Sequence, residues 1–289
     1  MIPVLFGEVL FDTYPDGNRV LGGAPFNVAW HLQAFGAGPL FVSRVGEDPN
    51  GDEVSSRMRS RGMRMDGLQR DPVHPTGEVT IRYHDGQPSF EILPNQAYDH
   101  IEAAALPSVE AGLLYHGSLA VRTARSADAL QKLKTGGAPV FVDINLRAPW
   151  WNRDTALAML ADARWAKLND EELAELAGPG VAVEASAEAL RERLSLELLI
   201  VTLGAAGALA VTPDERFRVE PEPGVPVVDP VGAGDAFASI VLLGLIRQWP
   251  LRIAIERGQA FASRIVGQQG ATVDDAAFYA PFREAWGVA

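Results

Sequence analysis

One aspartate in the segment 227–238 stands in a turn that suits the binding of anions. An apolar run ending at Asp229 is followed by Gly232-Ala233-Gly234-Asp235, which opens a long apolar helix. The successive amides of such a turn, together with the positive end of the helix dipole, form a concave anion site. Asp235 repels a phosphate, so a binding role explains it poorly, whereas a base beside a phosphoryl acceptor explains it well. The segment therefore predicts phosphoryl transfer with Asp235 as the base.

Two other interpretations use the same segment differently. In the first, Asp235 only caps the helix and the glycines only form a tight turn. In the second, the segment is a dinucleotide-binding fingerprint, although its third glycine is missing and it occurs late in the chain. A Walker-type nucleotide site is not supported, because the sequence contains no Gly-x-x-x-x-Gly-Lys-[Ser/Thr] motif.

Composition and charge exclude several classes of function. The 289 residues are 47% apolar and 21% charged, which is typical of a folded protein. The absence of cysteine excludes disulfides, zinc thiolate sites, iron–sulfur clusters and cysteine nucleophiles. A formal charge of −12 argues against broad attraction to nucleic acid or an anionic membrane, so neither is an expected partner. There is no basic leader and no apolar stretch of about 18 residues, so a cytoplasmic location is expected.

The middle of the chain alternates between short apolar strands and helices. Strands are predicted at residues 113–116, 140–144, 165–168 and 198–202, and helices at 126–133, 154–163, 171–177 and 187–194. This alternation predicts a parallel sheet covered by helices on both faces. Before this region, residues 2–10 are expected to form one strand. After it, two apolar helices at 236–248 and 251–268 are expected to complete the chain.

Two hairpins interrupt the first part of the chain. Residues 11–21 are polar and rich in turn formers, and residues 76–93 alternate around an Asp85-Gly86 turn signal. No linker is long enough to divide the chain into independent halves. We therefore expect one domain over residues 1–289, with the two hairpins as an appended lid.

Three segments resemble the two signature regions of the ribokinase/PfkB family of carbohydrate kinases, with the fructokinases as the closest branch. The first region is Gly22-Gly23-Ala24-Pro25-Phe26-Asn27 with Ser43-Arg44-Val45-Gly46-Glu47-Asp48, and the second is Asp229-Pro230-Val231-Gly232-Ala233-Gly234-Asp235. The similarity runs from about Gly7 to Gly270. Two signatures in the right order, about two hundred residues apart, are more specific than either alone.

This resemblance implies both a fold and a reaction. The fold is α/β, with a ribokinase-like, mostly parallel central sheet flanked by helices and a small β-sheet lid. The reaction is ATP-dependent transfer of the γ-phosphoryl group to a monosaccharide hydroxyl, with fructose as the leading acceptor and fructose 6-phosphate as product.

The residues that handle the phosphate do not specify the acceptor, so 2-keto-3-deoxygluconate, ribose and nucleosides stay open as alternatives. A sugar-binding regulator that has lost catalysis is the alternative from another class. A homodimer through the lid is also suggested.

At the sugar end, the resemblance implies that Asp235 takes the proton from the acceptor hydroxyl. The amides of Gly232, Ala233 and Gly234 are implied to hold the charge that develops on the phosphoryl group. These amides are expected to keep Asp235 ionised, so that it is a weak base acting mainly by its position. The implied sugar-binding residues are Asp12, Gly22, Gly23, Asn27 and Arg147. Their structural alternatives are a turn residue for Asp12, a buried helix polar group for Asn27 and a surface ion pair for Arg147.

At the nucleotide end, Asn169 and Glu172 match an Asn-x-x-Glu element that places the Mg²⁺-bound phosphates, with Glu172 acting through water. A helix start with Asn169 as its cap is the alternative, and both roles are compatible. Thr202 and Gly204 are candidates beside the phosphates of ATP. Gly270 is implied to lie beside adenine, with a helix C-cap as its alternative.

One departure from the family pattern concerns a monovalent cation. Most relatives have Asp-Thr-Thr before the Gly-Ala-Gly-Asp turn, whereas this chain has Asp229-Pro230-Val231. Two hydroxyl groups near the usual cation site are therefore missing. Asp229 and main-chain carbonyls could still hold K⁺, so activation by K⁺ is left open.

Overall fold

The computed structural model describes residues 2–84, 87–178, 180–222 and 224–288. The strands in this part of the chain are β1 (Ile2–Phe6), β2 (Leu10–Thr13), β3 (Arg19–Gly22), β4 (Leu40–Gly46), β5 (Leu68–Asp71), β6 (Gly77–His84), β7 (Gln87–Ile92), β8 (Ala111–His116), β9 (Val140–Asp143), β10 (Trp165–Asn169), β11 (Leu198–Thr202), β12 (Ala208–Val211) and β13 (Arg216–Val219). The α-helices are α1 (Ala24–Ala34), α2 (Pro49–Ser60), α3 (Ala124–Lys134), α4 (Arg153–Ala161), α5 (Asp170–Ala177), α6 (Val183–Leu194), α7 (Ala233–Arg247), α8 (Leu251–Ile265) and α9 (Ala276–Trp286).

A large sheet forms the centre of the molecule. Over the described residues its strand order is β13-β12-β11-β10-β9-β8-β1-β4-β5. The pairings from β11 to β5 are parallel, whereas β12 and β13 are antiparallel additions at one edge. Strands β1, β4 and β9 are almost wholly buried, as expected for a parallel sheet covered on both faces. The predicted α/β class with a mostly parallel central sheet is confirmed.

Helices cover both faces of this sheet. Successive residues of β1 and β4 belong alternately to two apolar clusters, because side chains along a strand point to opposite faces. One cluster includes residues of α1, α7, α8 and α9, with the aromatic rings of Phe26, Phe237 and Phe261 buried in it. The other includes residues of α3, α4, α5 and α6. Among the described helices, none has the length and apolar character needed to cross a membrane.

The two predicted hairpins form a second sheet, with the strand order β3-β2-β6-β7. Each hairpin is antiparallel, and β2 and β6 join the hairpins in parallel. Val79 and Ile92 of this sheet line the cavity described below. The predicted turn at Asp85-Gly86 lies outside the described residues. That this sheet acts as a lid on a single domain stays a prediction.

Several element boundaries differ from the sequence-based expectation. The single strand predicted for residues 2–10 is wrong, because β1 ends at Phe6 and β2 begins at Leu10 in the other sheet. The segment Gly7-Glu8-Val9 therefore crosses between the sheets. Strand β5 escapes prediction because Leu-Gln-Arg-Asp is polar and pairs only at the edge of the sheet. The predicted end of the helices at residue 268 is also wrong, since α9 follows with Pro281 in its interior.

Candidate active site

A cavity of about 610 Å³ lies where the carboxyl ends of the parallel strands meet the small sheet. Residues at or just beyond the ends of β1, β9, β10 and β11 form part of its wall. Ligands of open α/β sheets bind at this end of the strands. The predicted residues that line the cavity are Asp12, Gly23, Asn27, Arg147, Asn169, Glu172, Thr202, Gly232, Gly234 and Asp235. Within the described chain, the predicted residues outside the lining are Gly22, Ala233, Gly204, Asp229 and Gly270.

Asp235 lies in the first turn of α7 and is held by a side chain from another helix. Asn27 of α1 donates from Nδ2 to Asp235 Oδ2 at 2.8 Å, across 208 residues of sequence. The N-cap of α7 is Gly232, so the interpretation of Asp235 as a helix cap is wrong. This contact joins the two segments that carry the family resemblance.

Burial changes the acidity of Asp235. Desolvation raises its pKa to about 6, against the lowering effects of the Asn27 hydrogen bond and of the charges of Lys167 and Arg147. The nearby Asp143 charge raises the pKa further. The expectation that Asp235 is a weak base is therefore wrong, although a pKa of about 6 agrees with the expectation that it is ionised at neutral pH. The low-dielectric surroundings disfavour the carboxylate more than the local donors favour it.

A buried ion pair lies beside the glycine turn. Lys167 Nζ on β10 donates to both carboxylate oxygens of Asp143 on β9, at 2.9 and 2.8 Å. Tyr115 donates its hydroxyl to the same carboxylate at 3.2 Å. A Cβ added at Gly234 would lie 3.3 Å from Lys167 Nζ, so the ammonium group lies next to the turn. Burial works against the ammonium form, but the Asp143 charge and hydrogen bonds raise the pKa of Lys167. The turn therefore has a fixed cation beside it.

The turn itself requires glycine at its first position. Gly232 has φ 81°, and a Cβ there would lie 2.3 Å from the Cβ of Ala271. Ala233 donates its N–H to the Pro230 carbonyl at 3.3 Å. Of the three predicted amide residues, Gly232 and Gly234 line the cavity, whereas Ala233 does not.

At the sugar end, Asp12 lies on β2 with Arg147 as its charged neighbour. Burial raises the pKa of Asp12 to about 6, and the Arg147 charge lowers it. Gly22 is outside the lining but close behind, since a Cβ there would lie 3.6 Å from Asp12 Oδ2. Gly23 has φ 107°, and a Cβ there would approach the Glu8 carbonyl oxygen to 2.7 Å. The absence of a side chain at Gly23 thus lets the start of α1 lie against Glu8 and Val9, in the segment that connects β1 to β2.

Arg147 is exposed at the mouth of the cavity. Its Nη1 donates to the Leu146 carbonyl at 3.0 Å, and it forms no ion pair with any carboxylate in the described chain. The alternative role as a surface ion pair is therefore not realised with these residues. Its charge lowers the pKa of Asp12 and of Asp235. It remains a candidate for contact with the substrates.

At the nucleotide end, Asn169 and Glu172 form a capping box at the start of α5. Asn169 Oδ1 accepts from the Glu172 N–H, and Glu172 Oε2 accepts from the Asn169 N–H, both at 2.8 Å. Glu172 Oε1 accepts from the Leu146 N–H at 2.7 Å. The described residues contain no cluster of three or more His, Asp or Glu side chains arranged to hold a metal. This donor set fits Mg²⁺ that keeps most of its water and reaches Glu172 indirectly.

The remaining predicted residues lie around the outer wall. Thr202 lines the cavity at the end of β11, and Gly204 follows it in a short turn. Asp229 accepts from the Val231 N–H at 2.9 Å through Oδ1 and from the Gly270 N–H at 3.0 Å through Oδ2. Asp229 thus ties the glycine turn to the segment after α8. Its part in binding a cation stays a prediction.

Comparison with known proteins identifies the family. The family model described as pfkB family carbohydrate kinase matches residues 11–276, which is most of the chain. The chain belongs to the pfkB family of carbohydrate kinases. It is therefore an ATP-dependent carbohydrate kinase with the ribokinase-like fold predicted from its signatures.

Relatives of this pfkB kinase include fructokinases from bacteria and plants. It is 33% identical over 259 residues to a fructokinase of Klebsiella pneumoniae, which covers 83% of each chain. It is 32% identical over 265 residues to a fructokinase of Solanum tuberosum, which covers 84% of this chain and 80% of the relative.

Solved structures agree with this grouping. A fructokinase double mutant from Vibrio cholerae O395, in its fructose, ADP and potassium ion bound form, superimposes with a TM-score of 0.83 at 28% identity. The match covers 97% of this chain and 98% of that one. An aminoimidazole riboside kinase from Salmonella enterica, complexed with aminoimidazole riboside and an ATP analogue, superimposes with a TM-score of 0.83 at 25% identity. That match covers 94% of this chain and 96% of the other.

Two residues of this pfkB kinase were not predicted as site residues. Lys167 lies two residues before Asn169 in a buried strand, and a lysine in an otherwise apolar strand is itself a signal of a charged partner. Glu8 follows β1 directly, at the strand end where ligands of parallel sheets bind. The prediction of one strand over residues 2–10 hides the second signal, because it places Glu8 inside the strand rather than at its end.

Proposed function

We propose that this kinase transfers the γ-phosphoryl group of ATP to fructose and produces fructose 6-phosphate. The observation that carries the proposal is the carboxylate of Asp235, held by Asn27 at the start of α7 and adjacent to a glycine turn with a buried cation. A base, an anion site and a polar cavity are thereby brought together. The similarity to proteins named fructokinase supports fructose as the acceptor.

Asp235 accepts the proton of the attacking sugar hydroxyl. Its pKa of about 6 leaves it mostly ionised at neutral pH while making it more basic than a free aspartate. The hydrogen bond from Asn27 fixes the orientation of one oxygen. The other oxygen is the acceptor for the proton, and Asp12, Gly22 and Gly23 hold the remaining sugar hydroxyls.

The phosphoryl group is received by the turn of residues 232–234. The amides of Gly232 and Gly234, which line the cavity, and the ammonium group of Lys167 stabilise the charge on its oxygens during transfer. The Ala233 amide, which donates to the Pro230 carbonyl at 3.3 Å, would have to give up that bond to contribute. When bound, Mg²⁺ neutralises charge on the nucleotide phosphates. Asn169 and Glu172 position the hydrated ion, since the capping box fixes both side chains.

The nucleotide lies along the outer wall of the cavity. Thr202 and Gly204 contact the phosphates, and Gly270 lies beside adenine. Asp229 is the candidate ligand for K⁺, because its carboxylate already joins the glycine turn to the segment after α8 that contains Gly270. The small sheet closes over the sugar and excludes water, which limits hydrolysis of ATP. A cytoplasmic location stays a prediction.

A panel of acceptors with purified protein tests this function. Fructose, ribose, 2-keto-3-deoxygluconate, a nucleoside and aminoimidazole riboside are each supplied with ATP and Mg²⁺, and ADP release is followed by a coupled assay. Fructose is expected to give the highest kcat/KM, and Asp235→Asn is expected to lower kcat by about 10²–10⁴-fold. If none of the sugars causes ADP release, the inactive regulator is favoured. If another acceptor gives a higher kcat/KM than fructose, that acceptor replaces fructose in the proposal.

A further inference from the structure

Glu8 is a buried carboxyl group in the cavity wall that the mechanism above does not use. It lies on the segment that crosses from β1 to β2 and is only 3% exposed. Its Oε2 atom is shielded from solvent and has no hydrogen-bond partner among the described residues. Buried carboxyl oxygens are nearly always hydrogen-bonded, so an unpaired one calls for a missing donor.

A second unpaired acceptor lies in the same wall. Asn27 donates from Nδ2 to Asp235, but its Oδ1 is buried and accepts no hydrogen bond from a described residue. Glu8 and Asn27 both line the sugar end of the cavity together with Asp12. A ligand that supplies several hydroxyl donors satisfies such a set, because each hydroxyl can donate one hydrogen bond.

The protein offers the Glu8 carboxyl group few donors: its own backbone N–H bonds to it and lowers its pKa, but Oε2 keeps no partner among the described residues. Arg122 is near enough for its charge to lower the pKa of Glu8. Its Nε and Nη2 donate to Asp99 at 2.7 Å each, and its buried Nη1 makes no hydrogen bond to Glu8 or to any other described residue. Lys167 is likewise committed to Asp143. Among the lining residues, Arg147 is the basic side chain without an ion pair in the described chain.

The backbone around Glu8 is held against the sugar turn. A Cβ at Gly23 would lie 2.7 Å from the Glu8 carbonyl oxygen and 3.1 Å from Val9 Cα, so the two segments touch. The position of Glu8 is therefore fixed relative to Asn27, which is four residues beyond Gly23 on α1. A fixed acceptor of this kind discriminates between ligands by the direction of their hydroxyl groups.

We propose that Glu8 is a further sugar-binding residue, in which Oε2 accepts a hydrogen bond from an acceptor hydroxyl and selects for neutral polyhydroxylated sugars. The inference rests on the proposed function, because it names a contact within the same site. Glu8, Asp12 and Asp235 place three carboxyl groups at the sugar end, which disfavours an acceptor that already carries a phosphate.

Two substitutions with separate kinetic readouts test the role of Glu8. Glu8→Gln keeps the shape and one acceptor oxygen, whereas Glu8→Leu removes both. KM for fructose is expected to rise roughly tenfold in the first and up to about a hundredfold in the second, with KM for ATP within about twofold of the wild type. For Glu8→Leu, the ratio of kcat/KM for fructose to kcat/KM for an epimer is expected to fall for one of the C3, C4 and C5 epimers. Glu188→Gln, which removes a surface carboxylate paired with Arg216, is the matched control and is expected to change neither KM.

Failure of this inference is distinct from failure of the proposed function. If wild-type protein does not phosphorylate fructose, the proposed function is wrong, and the variants are assayed with the best acceptor of the panel. Unchanged KM for that acceptor in both variants overturns the role of Glu8. So does a parallel change in both KM values with a lower Tm, because that pattern indicates a structural role alone. A phosphorylated sugar as the best acceptor overturns the selection for neutral sugars.

Discussion

Opposing effects on ionisation meet at the carboxyl group of Asp235. The surrounding walls disfavour the charged form, while Asn27 donates to it at 2.8 Å and Lys167 attracts it. Burial prevails, and the pKa is raised to about 6. A general base works best with a pKa close to the working pH, so the pocket makes this aspartate a better base than it is in water.

Activity is expected to fall in mildly acidic solution. Asp235 must be ionised to accept a proton, and its pKa of about 6 places the loss of kcat/KM for the sugar as pH falls through that value. Asp12, with a pKa of about 6, and Glu8, with a pKa of about 7, titrate in the same cavity. The apparent pKa values in the pH profile of kcat/KM therefore belong to the three interacting carboxyl groups together. The measurement is kcat/KM from pH 5 to 8.5, and a flat profile down to pH 5 would contradict the raised pKa.

Lys167→Met is expected to affect both catalysis and stability. Loss of the cation beside Gly234 should lower kcat by about 10²–10³-fold, as for removal of one donor to a developing oxyanion. Asp143 is left as an unpaired buried charge, which costs about 3–5 kcal/mol of unfolding free energy. Steady-state kinetics and urea denaturation measure the two effects.

The double variant Lys167→Met with Asp143→Leu separates these effects. It removes the unpaired charge and should regain much of the stability while kcat stays low. Recovery of kcat in the double variant, or a kcat near the wild-type value in Lys167→Met, would show that the ammonium group does not act on the phosphoryl group.

At the scale of elements, helix α1 connects the two ends of the site. Asn27 contacts Asp235, and His31, one turn later, donates from Nε2 to the Ala271 carbonyl at 2.9 Å. Residues four apart lie on the same face of a helix, so one face of α1 holds both the base and the segment that packs on Gly232. This explains why Ala271 cannot easily move away from the turn.

Gly232→Ala is expected to disrupt the turn at the start of α7. Its Cβ would lie 2.3 Å from the Cβ of Ala271, in addition to the strain of a positive φ. Gly137→Ala is the matched control, because Gly137 has φ 74° but nothing within 4 Å of an added Cβ. The control should lose about 1 kcal/mol of stability and no activity, whereas Gly232→Ala should lose more stability and most of kcat/KM. Equal effects in the two variants would mean that the contact with Ala271 is unimportant.

At the scale of the whole molecule, two sheets with different roles meet at the cavity. The large sheet is covered by helices on both faces and carries most of the buried apolar residues. The small sheet contributes Leu10, Val79 and Ile92 to the cavity wall. The small sheet has buried apolar side chains of its own, among them Phe11, Val79 and Ile81.

A homodimer through the small sheet, which the family resemblance suggests, is a further prediction. Light scattering coupled to size-exclusion chromatography should give twice the chain mass of 31.1 kDa at micromolar concentration. A mass equal to one chain would remove the dimer from the proposal and leave the sheet as a lid within a single chain.

The class of fold and the chemical type of the site follow from local patterns in the sequence. The repeated strands and helices between residues 113 and 202 indicated a parallel sheet, since their apolar pattern is local. The glycine turn before α7 indicated an anion site and identified Asp235 within it, because backbone amides at a helix start act wherever the helix lies.

Which groups act together depends on contacts between segments that are distant in the chain. Asn27 reaches Asp235 across 208 residues, and the ion pair of Asp143 with Lys167 joins neighbouring strands, so neither contact has a local pattern. The raised pKa of Asp235 is also a tertiary property, because it comes from burial by segments distant in sequence. Glu8 stayed hidden for the same reason, since its strand ends at Phe6 only because the chain there passes from one sheet to the other.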